Sequence, residues 1–421
     1  MKKLTVLLGL LFFIYLLNPP AADAYENADC AKYYKRAQWM DAPTEQVVWW
    51  NGAILKEGQI GRLTVLKNTP LYKMTGSTKT FVRTLKKGDF YRIYAFKPGL
   101  LSVGGGLYVE RNEAVKYETP SKAKLEESYC KYKFNIYDEL EKKKAAIIKE
   151  AKLKKTDLAK ILYVHDTLVT MIEYDEEGYA EIIRTNNLWG PYPVYHTALG
   201  ALVFGKAYCD GYTHAFNDIL RELGITAYQV TSRPMAHSWT MVKLNGQFYH
   251  IDLTWADIGN EASYYNLLKS DEAIKAAGHY GWDGPFTDDD KQIKATSTIF
   301  DKLGQNMTYD DTQMYVFTPT NSEERNNYVI NTISFARLET KQLAVLNNTE
   351  LRDIIYHKGV IYTIERKEGS DRILKYSTTM KLLEDVTPSG GHYLYRLFHM
   401  NGELYHSYVT NEGKEGIRKL Q

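Results

Sequence analysis

Two runs of alternating polarity, residues 236–244 and 247–255, are separated only by Asn245-Gly246. Asn-Gly between such runs is the strongest short hairpin signal, because both turn residues must take positive φ and these two do so at least cost. A two-residue turn fixes the register: Leu244 faces Gln247, Trp239 faces Asp252 and His237 faces Thr254. Alternate residues share a face, so His237 and Trp239 point the same way as Asp252 and Thr254. His237 and Asp252 become diagonal neighbours, within reach of an imidazole-to-carboxylate hydrogen bond. His250 shares that face and is a rival base, although Met241, its opposite residue, lies farther down the hairpin. Asp257, in the loop past Trp255, is a rival acid that would orient an imidazole less well.

Upstream, Tyr212, Ala215, Phe216, Ile219, Leu220 and Leu223 recur at helical spacing and stop at Gly224. Cys209 therefore falls at a helix start, where unpaired N–H groups and the positive end of the helix dipole stabilise a thiolate. A cysteine in that position is commonly just a small buried residue, so position alone does not make it a nucleophile. A second helix is predicted after the N-cap Thr156, with Leu158, Ile161, Leu162, His165, Leu168, Val169 and Ile172 on one stripe. His165 on that stripe reads as a core-edge histidine.

The chain has 421 residues with 53 Lys and Arg against 51 Asp and Glu, which gives no case for nucleic acid as a partner. Lys2 and Lys3, an apolar run over 4–17 and Ala22-Asp23-Ala24 have the order of a secretory signal cut after Ala24, with an uncleaved anchor as the alternative. No later stretch has the length and apolarity of a membrane span. Three cysteines are present, Cys30, Cys130 and Cys209, so an oxidising compartment leaves at least one unpaired. Cys30 and Cys130 are the candidate pair, and both are also reasonable as reduced thiols.

Turn signals at Asn51-Gly52, Glu57-Gly58, Lys87-Gly88, Pro98-Gly99 and Gly104-Gly105-Gly106 divide 46–119 into short strands and predict a small β barrel. Residues 120–156 are helical and lysine-rich, a pattern of a solvated face or of attraction to anionic wall polymers. From 305 to 421 the pattern is β-like. There Tyr315, Tyr362 and Tyr405 recur in similar settings at roughly 40 to 50 residues, as in a partial array of propeller-type blades or a sandwich. The 34 tyrosines suit such half-wet β surfaces.

The motifs Gly205-Lys206-Ala207-Tyr208-Cys209-Asp210-Gly211-Tyr212, Ala236-His237-Ser238-Trp239 and Phe248-Tyr249-His250-Ile251-Asp252-Leu253-Thr254-Trp255 resemble, in order and spacing, those of the transglutaminase-like superfamily. The segments 81–94, 106–109 and 115–120 similarly resemble the Src-homology-3-type modules of secreted bacterial proteins, which would imply a wall-facing or peptide-binding accessory domain, with a structural spacer barrel as the alternative. The superfamily resemblance implies an α+β, papain-like core over 157–300 and a Cys-His-Asp triad at Cys209, His237 and Asp252. It also implies an oxyanion donor upstream of the cysteine. Tyr195, His196 and Tyr208 are candidates, with Trp239 on the hairpin face as a further oxyanion or substrate contact.

These features lead to the expectation of a secreted or cell-surface thiol enzyme, free of cofactor and metal, that acts on amide bonds of a protein or peptide through a thioester. A peptidase, an amidase or deamidase and a cross-linking acyltransferase remain open. The alternative is a catalytically silent cell-surface binding or scaffold protein. N-terminal sequencing of the exported protein is expected to read Tyr25 first; intact Met1 on a membrane-bound form would replace the signal with an anchor.

Overall fold

The computed structural model describes residues 30–33, 47–133, 135–259, 262–285, 291–297, 299–302, 306–320, 326–390, 393–400 and 402–420. The expected signal segment 1–24 lies outside the described residues. Two compact units divide the chain, Met1–Glu139 and Leu140–Gln421.

In the first unit, Asn51 (φ 48°) and Gly52 (φ 74°) close the hairpin Trp49–Trp50 with Ala53–Ile54, the positive-φ pair that Asn-Gly supplies. Gly61–Val65 lies between Val115–Glu118 and Phe90–Ile93 in one antiparallel sheet. A second sheet runs Thr78–Leu85, Thr69–Thr75, Leu107–Glu110, Leu100–Gly104, Ala95–Lys97. Alternation along Gly61–Val65 sends Leu63 and Val65 inward, where they meet Leu71, Leu85, Ile93, Leu101, Val109 and Val115. Helix α1, Lys122–Lys133, carries Cys130, which is bonded to Cys30 across 100 residues with a Cα–Cα distance of 5.2 Å. Cys209 is the free cysteine.

Helix α2, Ile136–Ala151, carries the lysine run, and Lys144 departs from the expected solvated face. It is buried and its Nζ lies 3.1 Å from Glu141 and 2.6 Å from Glu222. Pairing is what makes a buried ammonium tolerable.

The core of the second unit takes Ile147, Ile148 and Ala151 from α2 and continues into α3, Asp157–Met171, whose N-cap Thr156 accepts from the Ala159 amide. Leu158, Ile161, Leu162, Leu168 and Val169 are fully buried, each worth about 1.5–3 kcal/mol of apolar burial. Next come α4, Glu176–Thr185, and α5, Cys209–Glu222, whose buried stripe of Tyr212, Ala215, Phe216, Ile219 and Leu220 joins the same core. A four-stranded antiparallel sheet follows, and we number its strands β1 (Ala227–Ser232), β2 (His237–Leu244), β3 (Gln247–Ile251) and β4 (Trp282–Asp283). Its spatial order is β3-β2-β1-β4. Asn245 (φ 49°) and Gly246 (φ 84°) make the two-residue turn, with Leu244 opposite Gln247, Met241 opposite His250 and Thr240 opposite Ile251. Helix α6, Asp271–Ala276, lies between β3 and β4 in sequence.

Among the described residues beyond 306, three antiparallel meanders follow one another, of four, four and three strands. Tyr315, Tyr362 and Tyr405 each lie on the second strand of one meander, so the tyrosine period marks one sheet per repeat. The apolar core does not stop at the expected boundary near 300: Met307, Met314, Val316, Ile333 and Phe335 of the first meander share one cluster with α3 and α5.

The bond between Cys30 and Cys130 closes a 100-residue loop, and such a loop is worth about 4.7 kcal/mol in the chain-entropy account. Cys130→Ser is expected to lower the stability of Met1–Glu139 by about 2–5 kcal/mol, read as a fall in the urea midpoint. An unchanged midpoint would mean that the crosslink does not constrain the unfolded chain.

Candidate active site

Cys209 opens α5 with Tyr208 extended at the N-cap. The close approach beneath it explains Gly211: a Cβ there would lie 2.4 Å from the carbonyl oxygen of Tyr195. The thiol is partly accessible at the positive end of the helix.

A polar seam holds this helix start against β2. Asp210 accepts from Ser238 Oγ at 2.5 Å and from Gln229 at 3.3 Å through Oδ1, and its Oδ2 lies 3.0 Å from His196 Nδ1. One turn on, Thr213 Oγ1 lies 2.8 Å from the Cys209 carbonyl and 3.2 Å from that of Ser238. One turn further, Thr240 donates to Asn217 at 2.9 Å. Burial pushes the Asp210 carboxyl up, but the hydrogen bonds from His196 and Ser238 outweigh it and hold the group below its ordinary value. Because Ser238 follows His237, the seam also sets the distance from thiol to imidazole.

His237 Nε2 lies 2.7 Å from Asp252 Oδ2, and the Cys209 thiol at the start of α5 acts on the same ring. Its ring stacks between Trp239 (centroids 5.7 Å apart) and Trp255 (5.6 Å). Burial pulls the imidazolium down, yet the charge and hydrogen bond of Asp252, with the Cys209 thiol beside them, prevail and push it up to about 10. Asp252 is fully buried; burial raises its pKa, and His237 with His279 brings it well below the ordinary carboxylate range. Its Oδ1 accepts from the amides of Thr254 (2.9 Å) and Trp255 (3.2 Å), and Oδ2 also lies 2.8 Å from His279 Nε2.

Among the described residues, His237, Asp252 and His279 have the grouping that could hold a metal, with ligating atoms within 4.8 Å of one another. The separations of 2.7 and 2.8 Å are those of N–H···O hydrogen bonds, and we read the group as a hydrogen-bonded cluster.

The remaining sequence candidates fall in distinct places. His250 bonds to Trp239 Nε1 and Asp271, and burial lowers its pKa. Asp257 accepts from Tyr212 at 2.5 Å and from the Gly259 amide, away from His237. His165 is buried beside Asp166. Tyr208 donates to Asp175 at 3.2 Å, so its hydroxyl is turned to a structural partner. Tyr195 is buried, and its carbonyl accepts from the Tyr208 amide. His196 packs on Tyr208 at 4.6 Å and keeps Nε2 buried, with no partner among the described residues. Trp239 is part of the wall around His237 and spends its N–H on His250. Sequence reasoning missed His279, the Trp255 stack and the Asp210 seam; the only cue to His279 was its framing by Gly278 and Gly281.

Linkage follows from these shifts. His237 rises from 6.5 to about 10, so its contribution to stability is complete below pH 6.5 and is lost as the pH rises toward 10. Asp252 is lowered, so its contribution is present above 3.8 and is lost only in strong acid. Asp252→Asn is expected to bring the His237 titration down from about 10 and to slow iodoacetamide alkylation of Cys209 at neutral pH. Asp257→Asn should leave both unchanged. NMR of the imidazole and mass spectrometry of the thiol check this, and the reverse pattern would overturn the assignment of Asp252.

Residues 145–253 match the family model described as Transglutaminase-like superfamily. No curated protein matches the chain. Solved structures similar to it include the crystal structure of a TGase, 17% identical with a TM-score of 0.25, covering 47% of this chain and 51% of that one. The chain thus corresponds to about half the length of that protein. Another is from a structural and mechanistic analysis of two prolyl endopeptidases, 11% identical with a TM-score of 0.23, covering 47% and 26%. A third is the computationally designed Ika4 protein, 8% identical with a TM-score of 0.17, covering 28% and 90%.

Proposed function

Starting from residues 145–253 as a transglutaminase-like domain, we propose that the chain is a thiol enzyme acting on amide bonds of a protein or peptide substrate. The observation that carries this reading is the His237–Asp252 hydrogen bond of 2.7 Å beside the Cys209 thiol, which acts on the same imidazole. Asp252 accepts Nε2–H and so leaves the other ring nitrogen to take the thiol proton. The thiolate attacks the amide carbonyl carbon, and the Cys209 amide at the helix start stabilises the oxyanion. The imidazolium returns its proton to the leaving nitrogen as the C–N bond breaks, which leaves a thioester on Cys209. Water attacking the thioester gives an acid and completes hydrolysis; an amine gives a new amide and completes transfer. Trp239 and Trp255 keep bulk water from the imidazole faces, and Trp255, 41% exposed, is the wall a substrate would meet.

The same proposal places the enzyme outside the cell, after removal of residues 1–24, with the lysine-rich 120–156 stretch facing anionic wall polymers. No helix among the described residues is long and apolar enough to cross a membrane.

An acyl-donor screen that compares released ammonia, cleaved peptide and incorporated amine distinguishes the three outcomes. Cys209→Ala is expected to abolish all three with the fold intact, and Asp252→Asn to lower turnover by roughly 10- to 10³-fold. Activity retained in Cys209→Ala would end the nucleophile assignment.

A further inference from the structure

We propose that His279 is a positioning residue for this reaction, a second imidazole that holds the Asp252 carboxylate in line with His237. The inference rests on the reading of Cys209, His237 and Asp252 given above. His279 lies beyond the matched segment, which ends at residue 253.

An ionised carboxylate offers about four lone-pair sites. Asp252 fills them with four donors: the Thr254 and Trp255 amides on Oδ1, and His237 and His279 on Oδ2. With both oxygens saturated, the carboxylate has no freedom to rotate away from His237. His279 is itself buried, set edge-on to Trp239 at 4.8 Å and tilted on Trp255 at 4.2 Å, the two rings that enclose His237.

Its protonation follows from the same accounting. Nε2 must carry the proton given to Asp252, while Nδ1 is buried with no partner among the described residues. A second proton on Nδ1 would be a buried donor without an acceptor, so His279 donates as a neutral ring. This matters because its ring centroid lies 5.8 Å from that of His237. A cation there would compete with the His237 imidazolium for one carboxylate, whereas a neutral donor fixes Asp252 and leaves its charge to His237. A further titratable group at this wall is His250, whose ring meets Trp239 at 6.1 Å.

The backbone explains how a loop residue is held so closely. Gly278 (φ 105°) and Gly281 (φ 62°) take left-handed conformations at the edge of Trp255 and against Pro234. The His279 amide donates to the Ile274 carbonyl of α6, and Ser232 of β1 donates to the Tyr280 carbonyl at 2.6 Å.

His279→Phe removes the donor, whereas the amide nitrogen of His279→Gln can take the place of Nε2. The first readout is the rate of Cys209 alkylation by iodoacetamide against pH, corrected for the folded fraction. Loss of a donor frees Asp252 to turn from His237, which weakens the imidazolium that stabilises the Cys209 thiolate. The acid limb in His279→Phe should then move up by about one pH unit, and that in His279→Gln should stay near its original place. With an acyl donor identified, His279→Phe should lower kcat about tenfold with KM unchanged. Unchanged pH profiles in both variants, or equal losses in both with equal falls in melting temperature, would reduce His279 to packing. If Cys209 of the unsubstituted protein reacts no faster than in urea-unfolded chain, the thiol-enzyme reading fails and this inference fails with it. A reactive thiol with an indifferent His279→Phe overturns this inference alone.

Discussion

A carboxylate taken fully out of water is stable only if its lone pairs are filled, and much of the site is the consequence of meeting that demand at Asp252. Two donors are backbone amides of the turn that follows β3, so the chain must turn immediately after the carboxylate. The other two are imidazoles from β2 and from the loop after α6, so two distant segments must converge on one oxygen. Trp239 and Trp255 then close the space around these rings and exclude the water that would otherwise screen the charge.

A second constraint is mechanical. The thiol belongs to a helix and the imidazole to a strand, so their separation depends on how α5 is seated on β2. Apolar packing of Tyr212, Phe216 and Ile219 supplies adhesion but is tolerant of sliding. Direction comes from three polar contacts one turn apart, at Asp210, Thr213 and Asn217, each meeting β2 at Ser238 or Thr240. A hydrogen bond is lost within a few tenths of an ångström, so these contacts define a register that a greasy interface would leave free.

The parts of this arrangement that are local in sequence were legible there. Asn245-Gly246 permits one turn geometry, and a two-residue turn permits one register, which is why His237 and Asp252 could be paired from spacing alone. The helix carrying Cys209 followed from periodicity, and the tyrosine period followed one strand of each meander. His279 was not legible, because it lies 27 residues from Asp252 and returns only through two left-handed glycines and the placement of α6. Nor was the seam: Asp210, Thr213 and Asn217 sit at spacings of three and four that resemble any solvated helix face until the strand beside them is known. The cystine was undecided for a different reason: Cys30 and Cys130 were the candidate pair, but whether they are oxidised depends on the compartment and not on spacing.

Apolar contact also decides where the core around the site ends. A domain boundary near 300 would require the surface over α3 to be covered by residues before that point. Instead the first meander supplies Met307, Met314, Val316, Ile333 and Phe335 to the same cluster. Polar contacts agree with the apolar ones: Tyr309 of that meander and Tyr264 of the core both donate to Asp166 Oδ2, at 2.6 and 2.9 Å. Asp166 lies on α3 next to His165, whose Nδ1 it also meets at 2.8 Å. One carboxylate on the helix thus joins the core to the strands beyond it, as Asp252 joins three segments at the site. The first meander is therefore part of the scaffold on which the thiol is held.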